Sequence, residues 1–564
     1  DARGPTPELL NLLATSPLAG MTGNALGQAT GTGNADVQLR LTLPISEIHK
    51  SKVQGSVTLA GSEVRITPDT PPLSRVRGVV QFSDTGFTLS NVQAQALGGA
   101  VKLDGGMRAL GPNTPATESA IQVRAQGTAT AEGLQQMPQL GMISQLARRA
   151  TGSTSYTMNL AFRRGVPELQ VTTSLKGLAL ALPAPMGKTA ESALPIRFEN
   201  QVARESLVGL ASAAGNADAP PLRDQATLDL GPLGFATYVR ALGGPQPRVL
   251  RGAIGIGLAS GESAPMPAQG VAANINQNKV DVDAWEEALA SAPAATSAPA
   301  NKPSKPATAN PIDPAALDYM PTTLALRARE VILQNRTLHN VVAGILRQGT
   351  TWRANLDATE LNGYLELRQP GTSESANGRV FARLSRMKMP ESEVTQVEEM
   401  LNEQPGNLPE LDVVIDDFEL RGKRLGRLEM EAHNRGGEGP LSEWRLNKFN
   451  ILAPDSVFPA NGNWALPNTA APNGPKPAAR RTLLNFKLDI RDSGDMLARL
   501  GMPHVIKRGK GSVDGQIAWL GAPFSPDYRT MTGQLNLNVA SGQFLKADAG
   551  LAKLLGVLSL QSLP

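Results

Sequence analysis

Few side chains in this sequence are spaced to do chemistry together. The four histidines, His49, His339, His433 and His504, lie far apart, and none stands at ligand spacing from another, so neither a metal site nor a catalytic triad is expected. Cysteine is absent, which removes disulfides and cysteine-ligated metals. Gly187-Lys188-Thr189 has the ending of a phosphate-binding loop. The place of that loop's first glycine is held by Leu182, however, followed by Pro183 and Pro185, and proline lacks the amide that would cradle phosphate. Gly255-Ile256-Gly257 lacks the third glycine of a dinucleotide turn, and Gly261-Glu262-Ser263-Ala264-Pro265 only echoes a nucleophile elbow. Asp416 and Asp417 are neighbours on a predicted strand and point to opposite faces. Asp281 and Asp283 share a face, but Asp283 is expected to cap the helix that follows. No enzyme, cofactor or metal is expected from these residues.

Charge adds little. Fifty-four basic and 50 acidic residues leave a net charge of +4, and Arg148-Arg149, Arg163-Arg164 and Lys507-Arg508 are isolated pairs, so no nucleic-acid partner is expected. No apolar run reaches the ~18 residues of a membrane span, and the start does not look like a signal sequence. A first residue of Asp1 and an apolar run at 554–560 just before Pro564 suggest a piece of a longer protein.

What must position these residues is legible from periodicity. Apolar and polar residues alternate at Val37, Leu39 and Leu41, at Tyr156, Met158, Leu160 and Phe162, at Leu484, Phe486, Leu488 and Ile490, and at Val513, Gly515, Ile517 and Trp519. Period two is the mark of strands with one apolar and one wet face. Asp104-Gly105-Gly106, Asn362-Gly363 and Gly462-Asn463 read as hairpin turns between such strands. Short helices are predicted at 283–289, 393–403 and 492–500, with a weaker helical hairpin over 133–150 broken near Pro138 and Gly141. A strand, short helix, Gly-rich turn, strand repeat is expected at 121–162 and 484–519, its turns at Thr151-Gly152-Ser153 and at 508–511, and a third copy is suggested at 226–258. The expected division is 1–105, 106–290 and 319–564 as sheet segments, with 291–318 an Ala/Pro-rich linker or insertion.

Aromatic residues make up only 4% of the chain, while 56 Gly and 43 Pro together are roughly a sixth of it, where about 12% is usual. A tightly filled sandwich core is hard to build from such a composition. The fold class expected is mainly β, a long curled antiparallel sheet forming an elongated apolar groove, with a few short helices. The groove-lining candidates are Val37, Leu39, Leu41, Tyr156, Met158, Leu160, Leu484, Phe486, Leu488, Ile517 and Trp519. Such a wall would shelter acyl chains at ~0.8 kcal/mol per buried methylene.

Several stretches resemble the AsmA-like, YhdP-type family of Gram-negative envelope proteins: GLALALPAPMGK at 177–188, VDVDAW at 280–285, WRANLDATELNGYLELRQP at 352–370, LDVVIDDFELRGKRLGRLEMEA at 411–432, RGKGSVDGQIAWLGAP at 508–523 and GLAKLLGVLSLQSLP at 550–564. The resemblance implies the periplasmic part of an inner-membrane-anchored, bridge-like lipid conduit that carries phospholipid between inner and outer membranes. It implies phospholipid acyl chains as ligand, contact with both membranes through parts outside this chain, and other envelope proteins as candidate partners. It brings no catalytic motif. The alternative is a structural β-rich scaffold or interaction protein in outer-membrane biogenesis, with a closed, dry core.

Overall fold

A computed structural model describes residues 2–15, 29–42, 52–66, 70–83, 86–107, 121–137, 140–163, 166–203, 205–206, 222–244, 247–289, 318–370, 378–390, 408–435, 443–465, 480–523 and 526–544. The chain is mainly β, with 28 strands among the described residues in mixed, mostly antiparallel pairing. It divides into two compact units, Asp1–Pro321 and Thr322–Pro564.

In the first unit, successive strands mostly pair with the next in sequence. Asn34–Thr42 pairs with Lys52–Arg65, and neighbour-to-neighbour pairing then runs to Ile121–Thr130, Ala150–Arg163 and Val166–Thr173. It continues through Ile196–Val202, Arg223–Asp229, Gly234–Ala241 and Arg248–Ile256. The last step, from Arg248–Ile256 to Gly270–Asp281, is parallel and so needs a return crossover. That crossover, 257–269, lies on the polar side: the Ser263 carbonyl accepts from Asn274 Nδ2 at 2.8 Å and the Glu262 carboxylate from Asn276 Nδ2 at 3.3 Å.

The second unit runs the same way from Thr323–Leu333 to Thr532–Phe544. It too contains one parallel step, from Arg379–Met389 to Glu410–Leu420. Among the described strand pairings, the expected antiparallel order is broken at these two steps.

The turn signals are corrected by the structure. Gly105 and Gly106 lie inside the strand Gly99–Met107, Gly363 inside Leu361–Arg368, and Gly462 with Asn463 inside Ser456–Ala465. These glycines answer to close backbone approach instead. A Cβ on Gly363, at φ +140°, would lie 2.4 Å from the Arg383 carbonyl oxygen, and the register slips by a bulge at that point. The Gly-rich segments 151–153 and 508–511 are likewise within the strands Ala150–Arg163 and Ile506–Leu520. Further bulges at Leu89/Val92, Ile415/Phe418 and Leu446/Phe449 bend long strands while keeping their apolar residues on one face.

Helices form at strand ends. Ala131–Gln135 and Met142–Ala147 stand between Ile121–Thr130 and Ala150–Arg163, and Ser493–Arg499 stands between Arg481–Ile490 and Ile506–Leu520. Thr130 Oγ1 accepts from the Gly133 amide at 3.0 Å, and Asp492 Oδ1 from the Gly494 and Asp495 amides at 2.9 and 3.1 Å. In Val282–Leu289 the capping carboxylate belongs to Asp281, whose Oδ1 accepts from the Ala284 amide at 3.0 Å, and not to Asp283 as expected. The third suggested repeat, at 226–258, holds only a single 3-10 turn, Gly231–Leu233. The helix expected at 393–403, His49, nearly all of the linker 291–318, and the apolar run at 554–560 lie outside the described residues.

Candidate functional site

The strand registers turn alternation into a continuous surface. In the second unit, direct cross-strand partners run Leu324, Ile345, Ala354, Leu365, Ala382, Val413 and onward to Met430, Phe449, Ala460, Phe486, Gly515 and Leu535, one residue from every strand. In the first unit an equivalent ladder runs Val92, Leu103, Ala125, Met158, Val171, Phe198, Leu228, Ala236, Ile254, Ala273. Val37, Val57, Val80 and Leu89 form a parallel row across the earlier strands. No polar residue interrupts any of the three rows. Along one strand the apolar stretch from Leu484 to Ile490 spans about 20 Å at ~3.3 Å per residue.

The opposite face is wet and hydrogen-bonded along its own rows. Asn159 donates to Gln170 at 3.1 Å and Gln170 to Glu199 at 2.7 Å, while Gln516 donates to Asn485 at 2.7 Å and Asn485 to Asn461 at 3.2 Å. Arg353 with Glu366, and Lys448 and Arg427 with Glu429, add ion pairs there. Hydrogen bonds from Arg353, and from Lys448 and Arg427, hold the Glu366 and Glu429 carboxyls below the usual carboxylate range.

The apolar face is unevenly covered: Val92, Leu103, Ala125, Ala382, Val413 and Ile415 are buried in apolar clusters, while other residues of the same face are not. The described helices sit at strand ends. Ile345, Leu365, Met430, Phe449 and Phe486 are each only partly buried, and Leu535 is 57% exposed. Trp444, Ile415, Val271 and Val341 are fully buried, and Leu384, Phe418, Leu428, Leu446, Trp464 and Trp519 nearly so.

In the second unit the two ends of the strands differ. At one, Arg499 of the helix Ser493–Arg499 grips Asp455 through Nε and Nη2 at 2.9 and 2.6 Å and donates to the Arg424 carbonyl at 2.8 Å. At the other, Trp444, Trp464, Thr482 and Trp519 occupy successive register positions. All three indoles are buried; Trp444 and Trp519 donate to the carbonyls of Pro409 and Ala522, each at 3.0 Å, and the Arg480 guanidinium lies 4.7 Å from the Trp464 ring centre.

The predicted lining residues share these faces to different degrees. Leu39 and Leu41 are about half exposed, opposite Gly55 and Val53. Tyr156, Met158 and Leu160 are partly buried in consecutive rows of the first unit, and Leu484, Phe486, Leu488 and Ile517 are partly buried in the second. Trp519 is the exception: it lies on the same face, but at 3% exposure it is packed into the tryptophan row.

Four of the residues weighed for chemistry, Lys188, Asp416, His339 and His433, have partners in the described structure. Lys188 Nζ donates to the carbonyls of Leu175 and Thr189, both at 2.9 Å, and to that of Leu178, tying down the 174–195 loop. Asp416 pairs with Arg427, and His339 and His433 pair with Glu360 and Glu431. No group of three or more His, Asp or Glu that could hold a metal occurs among the described residues, where also no helix is long and apolar enough to cross a membrane.

One constellation escaped sequence reasoning. Asp224 and Arg240 are register partners in phase with Ala226, Leu228 and Ala236, so both ions stand on the apolar side. Arg240 Nε and Nη2 donate to Asp224 at 3.0 and 2.6 Å, Nη2 reaches Asn200 Oδ1 at 3.4 Å, and Nη1 reaches the Tyr319 hydroxyl at 3.3 Å. Burial disfavours the Arg240 cation, but the hydrogen bonds to Asp224 and Tyr319 outweigh it and hold its pKa above the ordinary value. Tyr238 donates to the Tyr319 carbonyl at 3.2 Å, and burial pushes its hydroxyl up to about 12. Charged residues on the apolar phase of an alternating strand were the available signal.

The chain belongs to the YhdP family: the family model, described as YhdP protein, matches residues 1–564. No curated protein and no solved structure matches it.

Proposed function

We propose that this YhdP-family chain is a non-enzymatic lipid conduit of the cell envelope, whose apolar face carries phospholipid acyl chains between inner and outer membranes through the periplasm. The observation that carries the reading is the unbroken apolar row contributed by every strand of the second unit, with its large side chains left partly exposed. A closed core would bury them, because each exposed methylene forgoes ~0.8 kcal/mol. The row is made of Leu, Ile, Val, Ala, Met, Phe and Gly, so it offers acyl chains no single preferred stop and suits sliding better than capture. At ~4.8 Å per strand, one unit's row extends roughly 50 Å. Family membership supports an envelope setting, and membranes at either end are reached in this reading through partners or segments beyond the described residues. Native mass spectrometry of the purified chain tests it: a conduit retains phospholipid, whereas a dry scaffold carries none.

A further inference from the structure

The charged pair on the apolar wall of the first unit is costly, since an ion pair taken from water must recover its desolvation through geometry and further hydrogen bonds. Asp224 is 3% exposed at its side chain and Arg240 16%. Of the five N–H groups on Arg240, two are held firmly by Asp224, and two make longer contacts of 3.4 and 3.3 Å to Asn200 and Tyr319. The fifth, on Nη1, has no acceptor among the described residues. Asp224 thus fixes one edge of the guanidinium and turns the other toward the tyrosine pair, whose rings meet edge to face at 5.2 Å.

The position matters as much as the chemistry. Arg240 stands four residues along its strand from Ala236 of the apolar row, about 13 Å at ~3.3 Å per residue. We infer that Arg240, held by Asp224, is a phosphodiester-binding site at the margin of the apolar face: it takes the headgroup phosphate of a lipid whose acyl chains lie along the row through Phe198, Leu228 and Ala236. Guanidinium suits this task because its planar donors can serve two anions at once: Asp224 holds one edge, while the unengaged Nη1 N–H and the donors in the longer contacts to Asn200 and Tyr319 can turn to phosphate oxygens. The Tyr319 hydroxyl holds the place of a phosphate oxygen and can turn to donate to one. The inference rests on the conduit reading and adds a headgroup preference to it.

The test offers the full chain phosphatidylglycerol and diacylglycerol with the same acyl chains, in competition, and reads the bound ratio by native mass spectrometry. Wild type is expected to favour phosphatidylglycerol by roughly tenfold. The double variant D224N/R240Q, which leaves no orphan buried charge, should lose that preference while still binding diacylglycerol. Arg240→Lys keeps the ion pair but loses the fork, and should lower the preference even if the double variant does not fold. Equal binding of the two lipids by wild type, or an unchanged preference in Arg240→Lys or in a folded double variant, overturns the site. Heat stabilisation of wild type by inorganic phosphate alone, as large as that by the lipid and absent in the double variant, would assign free phosphate instead and overturn the lipid assignment. Binding of neither lipid would fail the conduit reading itself, and the headgroup site with it.

Discussion

Phe458 and Phe486 stack across neighbouring strands, with ring centres 5.6 Å apart and planes 29° apart, although Phe486 stands directly opposite Ala460 and Gly515. The large ring fills space left by small partners on both sides and leans along the diagonal to meet its neighbour. Phe486→Ala is expected to destabilise the chain by about 1–2 kcal/mol, below the 3–5 kcal/mol typical of a fully buried phenylalanine, because the ring is only partly covered. Urea denaturation measures it.

Charges placed on the same wall should act on transport before they act on folding. Leu488→Asp and Ile517→Asp put a carboxylate on a face that now offers partly exposed apolar groups, where an unpaired charge is costly to an acyl chain passing over it. Transfer of fluorescent phospholipid between vesicles should fall at least tenfold in both variants with circular dichroism unchanged; Lys487→Asp, on the wet face, should transfer normally.

The anchoring of the helix Ser493–Arg499 predicts a pH dependence. The hydrogen bond from Arg499 holds the Asp455 carboxyl below the usual aspartate range. A depressed carboxyl contributes stability that is complete above its unfolded value, near 3.9, and is lost as pH falls through the lower folded value. Asp455→Asn should therefore melt lower than wild type at pH 7, and the gap should close in acid as the wild-type carboxylate takes up its proton.

Gly363 marks the limit of sequence reading. Alternation showed which residues share a face, because a strand's side-chain period is two, and the face of Leu484, Phe486 and Leu488 was legible from it. Asn362-Gly363 signals a turn by composition, yet the backbone there meets the neighbouring Arg383 carbonyl in a bulge, a demand set by the adjoining strand and invisible locally. The same holds for the parallel steps, which depend on where a crossover returns, and for Asp224 with Arg240, sixteen residues apart and joined only by register. Trp519 alternates like a wall residue, but it ends the register row that runs through Trp444, Trp464 and Thr482, and its buried indole donates to the Ala522 carbonyl, a contact that alternation does not reveal. Gly363→Ala is expected to cost about 1–3 kcal/mol through backbone strain at its positive φ, again measured by urea denaturation.

The central claim is that one face of this sheet touches lipid and the other does not. Photo-crosslinking residues at Phe486 and Leu488, on the apolar face, and at Lys487 between them, on the polar face, test it most directly. Capture of phospholipid at 486 and 488 but not at 487 is the predicted result. Equal capture at all three positions, or capture at none, would contradict it.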